Sequence, residues 1–377
     1  MSRFDRTDRS ILGRWWWTVD HWTMLAVIIL ISFGVVLALA VSPATGARIG
    51  VDGFYLAKHQ VSILPLAFAL VFVISLLTPR QICYLGCVIF FIALILTFST
   101  LIIGAEIKGA KRWLNILGNS IQPSEFLKPS LAIITSYLLT KQNHKGLESG
   151  WMTHHIISVT FYGLILFILL CQPDLGMSFV ISVIWFSQIF LAGLPLRWAG
   201  ILGGLGIVLL FVSYLTFPHV TVRINGFLNP GSADTYQVDR SLEAFSVGGL
   251  YGLGPGEGII KKHLPDAHAD FIFAVAGEEL GLLACLLIVG IFFFIMLKSI
   301  SRLLKENNLF VLLAGTGLVV NFILQAIINM ASALHLIPTK GMTLPFISYG
   351  GSSLLATSLG MGMLLALTRR RASSGAI

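Results

Sequence analysis

The chain has 377 residues, 56% of them hydrophobic and only 11% charged, against about a quarter charged in an ordinary soluble domain. This composition excludes a soluble enzyme and implies an integral membrane protein. The net charge of +8 would suit nucleic acid, but the basic residues sit in short segments between apolar runs, so no nucleic-acid partner is expected.

A bilayer core takes roughly 20 apolar residues per helix. About ten such runs occur, near 22–41, 60–77, 82–103, 124–140, 154–171, 175–193, 196–216, 271–297, 309–335 and 352–368. They predict an all-α integral membrane protein with about ten transmembrane helices. Continuous apolar stretches such as 282–297 rule out the alternating segments of a membrane β-barrel. Residues 1–21 form an N-terminal segment in which Arg3, Arg6, Arg9 and Arg14 precede Trp15, Trp16 and Trp17, an interfacial anchor. Arg80, Lys141, Lys145, Arg197, Lys298, Arg302, Lys305 and the tail 369–377, with Arg369, Arg370 and Arg371, fall on the same side. The positive-inside bias makes that side cytoplasmic, with both termini on it. The membrane domain is then 22–368, and 217–269 is a large extracytoplasmic loop between helices 7 and 8. Basic residues left on the outer face suggest an anionic ligand there.

Along the chain, Cys83 and Cys87 share a helix face and read as buried small hydrophobes, because a metal would want more ligands. The loop after helix 3 carries Lys108, Lys111, Arg112 and Trp113. It is either an interfacial anchor or an anion clamp, with Arg112 suited to bidentate phosphate contact. Pro123 suits the first position of helix 4. Glu125 and Lys128 follow, one turn apart. A charged pair inside a membrane helix is a functional candidate or a structural ion pair. Asp174, in Gln172-Pro173-Asp174, either caps helix 6 or belongs to a site.

The loop 217–269 holds Arg223, Asp234, Asp239, Arg240 and Glu243, with a helical pattern over 235–247. The glycine-rich stretch 248–258 fails as a phosphate loop, since no Lys-Ser/Thr follows and no strand precedes it. It is expected to be an irregular linker whose backbone approaches a ligand or another segment. Lys261, Lys262, His263, Asp266 and His268 then lead to Asp270, at the mouth of helix 8. Glu278 and Glu279 lie two turns further, about 12 Å along a continuous helix, and must face protein or a wet cavity. Asn321, Gln325 and Asn329 form a polar stripe suited to interhelical hydrogen bonds, or alternatively to lining a cavity. The segment 337–350 is too apolar for a solvated loop and reads as re-entrant. Gly350 to Ser353 then open helix 10, whose amides could bind an anion. No pair of broken helices in corresponding halves is evident. One carboxylate among scattered cations suits a lipid-linked phosphate or pyrophosphate, with Asp270 as base and Lys/Arg holding phosphate. The plain alternative is that Asp270 is the N-cap of helix 8.

Several stretches together resemble a known family. They are Lys108-Gly-Ala-Lys111-Arg112-Trp113-Leu, Gln122-Pro-Ser-Glu125-Phe-Leu-Lys128, Gln172-Pro-Asp174-Leu-Gly, Leu264-Pro-Asp-Ala-His268-Ala-Asp270-Phe-Ile-Phe, Gly277-Glu-Glu-Leu-Gly and Pro338-Thr-Lys340-Gly-Met-Thr-Leu-Pro345-Phe-Ile-Ser-Tyr-Gly-Gly-Ser-Ser. The chain resembles, from about residue 20 to 370, the SEDS (shape, elongation, division and sporulation) polymerases of bacterial cell-wall synthesis, and the division branch more than the elongation branch. Ala269 stands where the family often has Thr, which puts a role for that side chain in doubt. The resemblance implies a ten-helix bundle with an outward-facing cavity in the bacterial inner membrane. It implies an inverting peptidoglycan glycosyltransferase that polymerises lipid II at the division septum and releases undecaprenyl pyrophosphate. It further implies a class B penicillin-binding protein transpeptidase and other divisome proteins as partners, and a divalent cation, Mg2+ or Mn2+. Asp270 would be the catalytic residue, as base or metal ligand. Arg112, Glu125, Lys128, Lys340, Arg223 and His268 would bind or support substrate. A lipid II flippase and a non-catalytic divisome scaffold are the competing readings.

Overall fold

The computed structural model describes residues 10–107, 110–116, 118–141, 148–194, 196–216, 218–228 and 236–370. Arg3, Arg6, Arg9, Lys108, Lys145, Asp234 and Arg371 lie outside the described residues. In chain order the elements are α1 (Ile11–Thr18), α2 (His21–Ile49), α3 (Tyr55–Ser75), α4 (Pro79–Ile103), then strands β1 (Ala105–Ile107), β2 (Ala110–Ile116) and β3 (Asn119–Ile121). Next come α5 (Ser124–Lys141), α6 (Glu148–Cys171), α7 (Leu175–Leu191), α8 (Leu196–Thr216), α9 (Pro218–Leu228) and α10 (Tyr236–Gly248). The chain closes with α11 (Ile272–Leu303), α12 (Leu309–Ala333) and α13 (Gly351–Leu367). The predicted apolar runs map, in order, onto α2 to α8 and α11 to α13. Among the described residues, α2, α3, α4, α11 and α12 are long and apolar enough to cross a membrane, and α7, α13 and His155–Cys171 are shorter apolar helices.

Helix starts are set locally. Asp20 accepts the N–H groups of Trp22 and Thr23 before α2, and Thr78 and Gln81 form a capping box before α4, with Pro79 in its first turn. Packing then sorts the helices. Nearly every residue of α5 and α13 is buried, and α5 packs against α4, α7, α12 and α13. Polar side chains tie this centre together. Gln188 of α7 donates to the Ala132 carbonyl at 2.7 Å, to Ser136 Oγ at 2.8 Å and to the Leu313 carbonyl at 3.1 Å, joining three helices. The outer helices expose apolar rows, such as Leu283, Leu286 and Phe293 on α11, which suits lipid rather than water. At one end of the bundle Trp15 Nε1 donates to Ser75 Oγ at 2.8 Å, Arg302 pairs with Asp20 at 2.9 Å, and the Arg370 amide donates to the Thr18 carbonyl at 3.1 Å. The segments around Thr18 and Arg370 therefore meet on one face.

The structure departs from the sequence reading in three places. The segment after α4 is not a plain loop but a small antiparallel sheet in the order β1-β2-β3. Short helices α1 and α9 occupy stretches read as an anchor and a loop. Helix α11 is broken at Gly281, whose φ of 77° and ψ of −179° suit a residue without a Cβ. The freed peptide groups are paired by the glycine-rich linker: Leu253 and Gly254 amides donate to the Glu278 and Glu279 carbonyls, and the Leu282 amide to the Gly249 carbonyl. The linker thus approaches another chain segment, one of its two expected roles. The depth assigned to Glu278 assumed an unbroken helix and is corrected accordingly. Both carboxylates do face protein. Glu278 accepts the Ile260 and Lys261 amides at 2.6 and 2.9 Å, and Glu279 pairs with Lys261. Phe271, not Asp270, holds the N-cap position of α11, which counts against the plain alternative of Asp270 as that cap.

The apolar segment 337–350 is irregular, and from Met342 to Ser348 it is mostly buried. Leu344, Phe346 and Ile347 are at most 2% exposed, and the Phe346 carbonyl packs on Gly34 in the middle of α2. Non-helical backbone at that level is tolerated because protein surrounds it.

Candidate active site

Asp270 ends a tight turn that starts at Asp266, whose φ is +50°. The Ala269 and Asp270 amides both donate to the Asp266 carbonyl at 3.0 Å. Three successive carbonyls are then gripped from outside. The Tyr349 amide donates to the His268 carbonyl at 2.9 Å, Ser348 Oγ to the Ala269 carbonyl at 2.6 Å, and Asn329 Nδ2 to the Asp270 carbonyl at 2.9 Å. Asn329 Nδ2 also donates to the Met342 carbonyl at 2.7 Å. The backbone around Asp270 is therefore fixed to α12 and to the segment 342–349. Its side chain faces Gly341, where a Cβ would lie 2.7 Å from Oδ2.

The cations arrive from other elements. Arg112, on β2, donates Nε to the Gln172 carbonyl at 3.1 Å and Nη2 to the Pro173 carbonyl at 2.7 Å, and its Nη1 lies 3.6 Å from Asp174. Lys340 Nζ lies 3.2 Å from the same carboxylate. Gly176 makes room for it, since a side chain there would collide with the Lys340 stem. Asp174 also caps α7 by accepting the Met177 amide, so both of its suggested roles hold at once. Burial alone would raise the Asp174 carboxyl; Lys340 and Arg112 more than offset it and hold it below its usual range. Burial lowers Lys340, helped by Arg112 and Arg223 and opposed by Asp174. Arg223, on α9, is lowered by partial desolvation and by Arg112 and raised by Asp270 and Asp174, while the residue itself stays exposed. Arg112, Arg223, Lys340, Asp174 and Asp270 thus share one electrostatic neighbourhood, assembled from five segments far apart in sequence.

The other candidates are held by contacts of their own. Glu125 and Lys128 pair at 2.8 Å, with the Lys128 side chain 1% exposed. Such burial suits electrostatic support of a ligand, one of the two roles expected of Lys128, rather than direct contact. The His268 ring packs against Tyr349 at 5.5 Å, and the Tyr349 hydroxyl bonds His59 Nδ1 at 3.0 Å. The sequence reading did not pick out Ser348, and it read Asn329 as an interhelical bond or a cavity lining. The i, i+4, i+8 stripe was the one available signal for Asn329.

Among the described residues no group of three His, Cys, Asp or Glu could hold a metal ion. Asp270 offers a single carboxylate beside cations. That donor set fits an ion held through one carboxylate and substrate phosphates, as Mg2+ commonly is, and not an all-protein cage.

Residues 21–373 match the FtsW/RodA/SpoVE family model, described as cell cycle protein. A protein of Caulobacter vibrioides named probable peptidoglycan glycosyltransferase FtsW is 41% identical over 98% of this chain and 94% of its own length. A protein of the same name from Trichlorobacter lovleyi is 36% identical over 91% of each chain. A chain in a solved peptidoglycan synthase complex, which coordinates polymerization and crosslinking, superposes with a TM-score of 0.73 at 25% identity, over 93% of this chain and 97% of that one. The chain is a multi-span membrane protein and belongs to the FtsW/RodA/SpoVE family.

Proposed function

We propose that the protein is a peptidoglycan glycosyltransferase that polymerises lipid II into glycan strands, with Asp270 as its catalytic residue. The observation that carries this reading is the Asp270 carboxylate, held by three backbone grips beside Arg223, Lys340 and Arg112. Polymerisation needs a sugar hydroxyl to attack an anomeric carbon that bears a pyrophosphate. A carboxylate within hydrogen-bond reach takes the hydroxyl proton. The attack displaces the pyrophosphate with inversion, and fixed cations stabilise the charge on the leaving group. Arg112 and Lys340 are preset for this by Asp174. In the alternative role, Asp270 would instead hold a divalent cation that neutralises the same leaving group. Glu125 and Lys128 shape the buried wall, and His268 borders the site through Tyr349.

The chain ends and the Arg302 end of α11 face the cytoplasm in this reading, and Asp270 faces outward. The protein acts at the division septum with a class B penicillin-binding protein transpeptidase, in keeping with the naming of its relatives. A flippase would draw on the break in α11, because broken helices often bind transported ions. Here the peptide groups around the break are paired with the glycine-rich linker, which favours the enzyme.

The test is Asp270→Asn in purified protein, assayed with the transpeptidase partner whose own active site is blocked. Gel-resolved polymer should disappear while thermal unfolding stays at the wild-type temperature. Substantial polymer from the Asn variant would refute the assignment.

A further inference from the structure

Helix α2 exposes one stripe along its length. Leu25, Ile28, Ser32, Val36, Leu39 and Pro43 recur every three or four residues and all are exposed, with Ile29 beside them, while Ala26, Val27, Leu30, Ile31, Leu37 and Val41 turn inward. The stripe ends in a cleft of about 460 Å³ lined by Pro43, Ala44, Ala47, Arg48 and Lys262. None of these belongs to the Asp270 cluster. Arg48 is fixed at the cleft wall, where Nη1 donates to the Leu264 carbonyl at 2.9 Å. Lys262 comes from the short turn Ile260–Lys262, and its side chain is exposed.

We propose that this cleft binds the phosphodiester headgroup of an anionic glycerophospholipid, with an acyl chain lying along the α2 stripe. The two cations select a negative headgroup, as basic pockets on membrane proteins do. The apolar wall of Pro43, Ala44 and Ala47 is continuous with the lipid-facing stripe, so the ligand that matches both halves is amphipathic. The cleft opens on the face of the bundle that carries Asp270, because Arg48 holds the segment leading into the 266–270 turn. An occupied cleft braces that segment from the lipid side.

Native mass spectrometry of the full chain in detergent tests the site, with phosphatidylglycerol and phosphatidylcholine titrated separately. Wild-type protein should retain one phosphatidylglycerol more tightly than phosphatidylcholine. Lys262→Gln should weaken that retention about fivefold, and Arg48→Gln combined with Lys262→Gln by about 25-fold, from the usual contribution of a basic residue near an anionic lipid surface. Lys262→Gln removes only an exposed side chain, so its lipid-free thermal unfolding should match wild type and keep the comparison valid if the double variant folds poorly. Equal retention of the two lipids, or unchanged retention in Lys262→Gln, overturns the proposal. Displacement by millimolar inorganic phosphate would mark a free-anion site. Displacement by equimolar undecaprenyl pyrophosphate would mark a subsite for the lipid carrier. Either result also overturns it.

Discussion

Glu278→Gln separates structural charge from catalytic charge. Glu278 is fully buried, and its two oxygens accept the Ile260 and Lys261 amides at 2.6 and 2.9 Å. Hydrogen bonds to a charged group contribute about 1.5–3 kcal/mol each. Gln keeps one acceptor oxygen and turns an NH2 group toward the other amide. One bond is then lost with its donor left buried, and the other falls to neutral strength. The sum is a destabilisation of roughly 2–4 kcal/mol. The loss falls on the turn 260–262, which connects the linker to the 266–270 turn, so Asp270 placement should suffer as well. Thermal unfolding in detergent reads the first effect, and polymer yield from lipid II reads the second. Limited proteolysis locates the change, which should appear as new cleavage between 249 and 265. Wild-type unfolding with wild-type yield would show that these two bonds do not hold the segment.

Arg112→Lys keeps the charge but loses the planar fork that spans the Gln172 and Pro173 carbonyls. Polymer yield should fall by about tenfold, the order expected for losing a charge-assisted bond, while thermal unfolding changes little. Gly341→Ala places a methyl against Asp270 Oδ2. Turnover should drop by on the order of tenfold to a hundredfold, as misplacing a reacting group by about 1 Å does, with near-normal unfolding. Lys128→Met alone strands the Glu125 charge and should cost about 3–5 kcal/mol. Adding Glu125→Gln should recover part of that loss, and strict additivity in the thermal data would disprove direct pairing.

The apolar helices were legible because continuous apolar length is a local property, and α2 to α8 and α11 to α13 follow the predicted runs, five of them long and apolar enough to cross a membrane among the described residues. Asp270, Arg112, Arg223 and Lys340 were legible as chemistry, since a charge in a greasy chain needs a reason. Their convergence was not. Asp174 looks like any helix cap from its neighbours, and only the fold brings Lys340, 166 residues away, to its other side. The sheet β1-β2-β3 was missed because three short strands leave little alternation to read. The break at Gly281 was missed for a related reason. A glycine in an apolar run does not reveal its φ, and what stabilises the break is the linker more than twenty residues earlier. Ser348 was invisible because a serine that grips a remote carbonyl has no sequence pattern.

The charge balance explains why the site takes this form. Arg112, Arg223 and Lys340 face two carboxylates, Asp174 and Asp270. Without Asp174 the three cations would repel one another across separate segments, and burial already makes Lys340 easier to deprotonate. Asp174 holds two of them together and leaves a net positive remainder. That remainder attracts an anionic pyrophosphate without neutralising it fully, since a pyrophosphate diester is charged on both phosphates. A divalent cation carried in with the substrate would supply what is missing, and Asp270 is the carboxylate left to meet it. The same arrangement keeps the ligand reversible. Were every counter-charge supplied by fixed arginines, the undecaprenyl pyrophosphate released at each addition would stay bound. Asp174 therefore tunes grip as well as geometry.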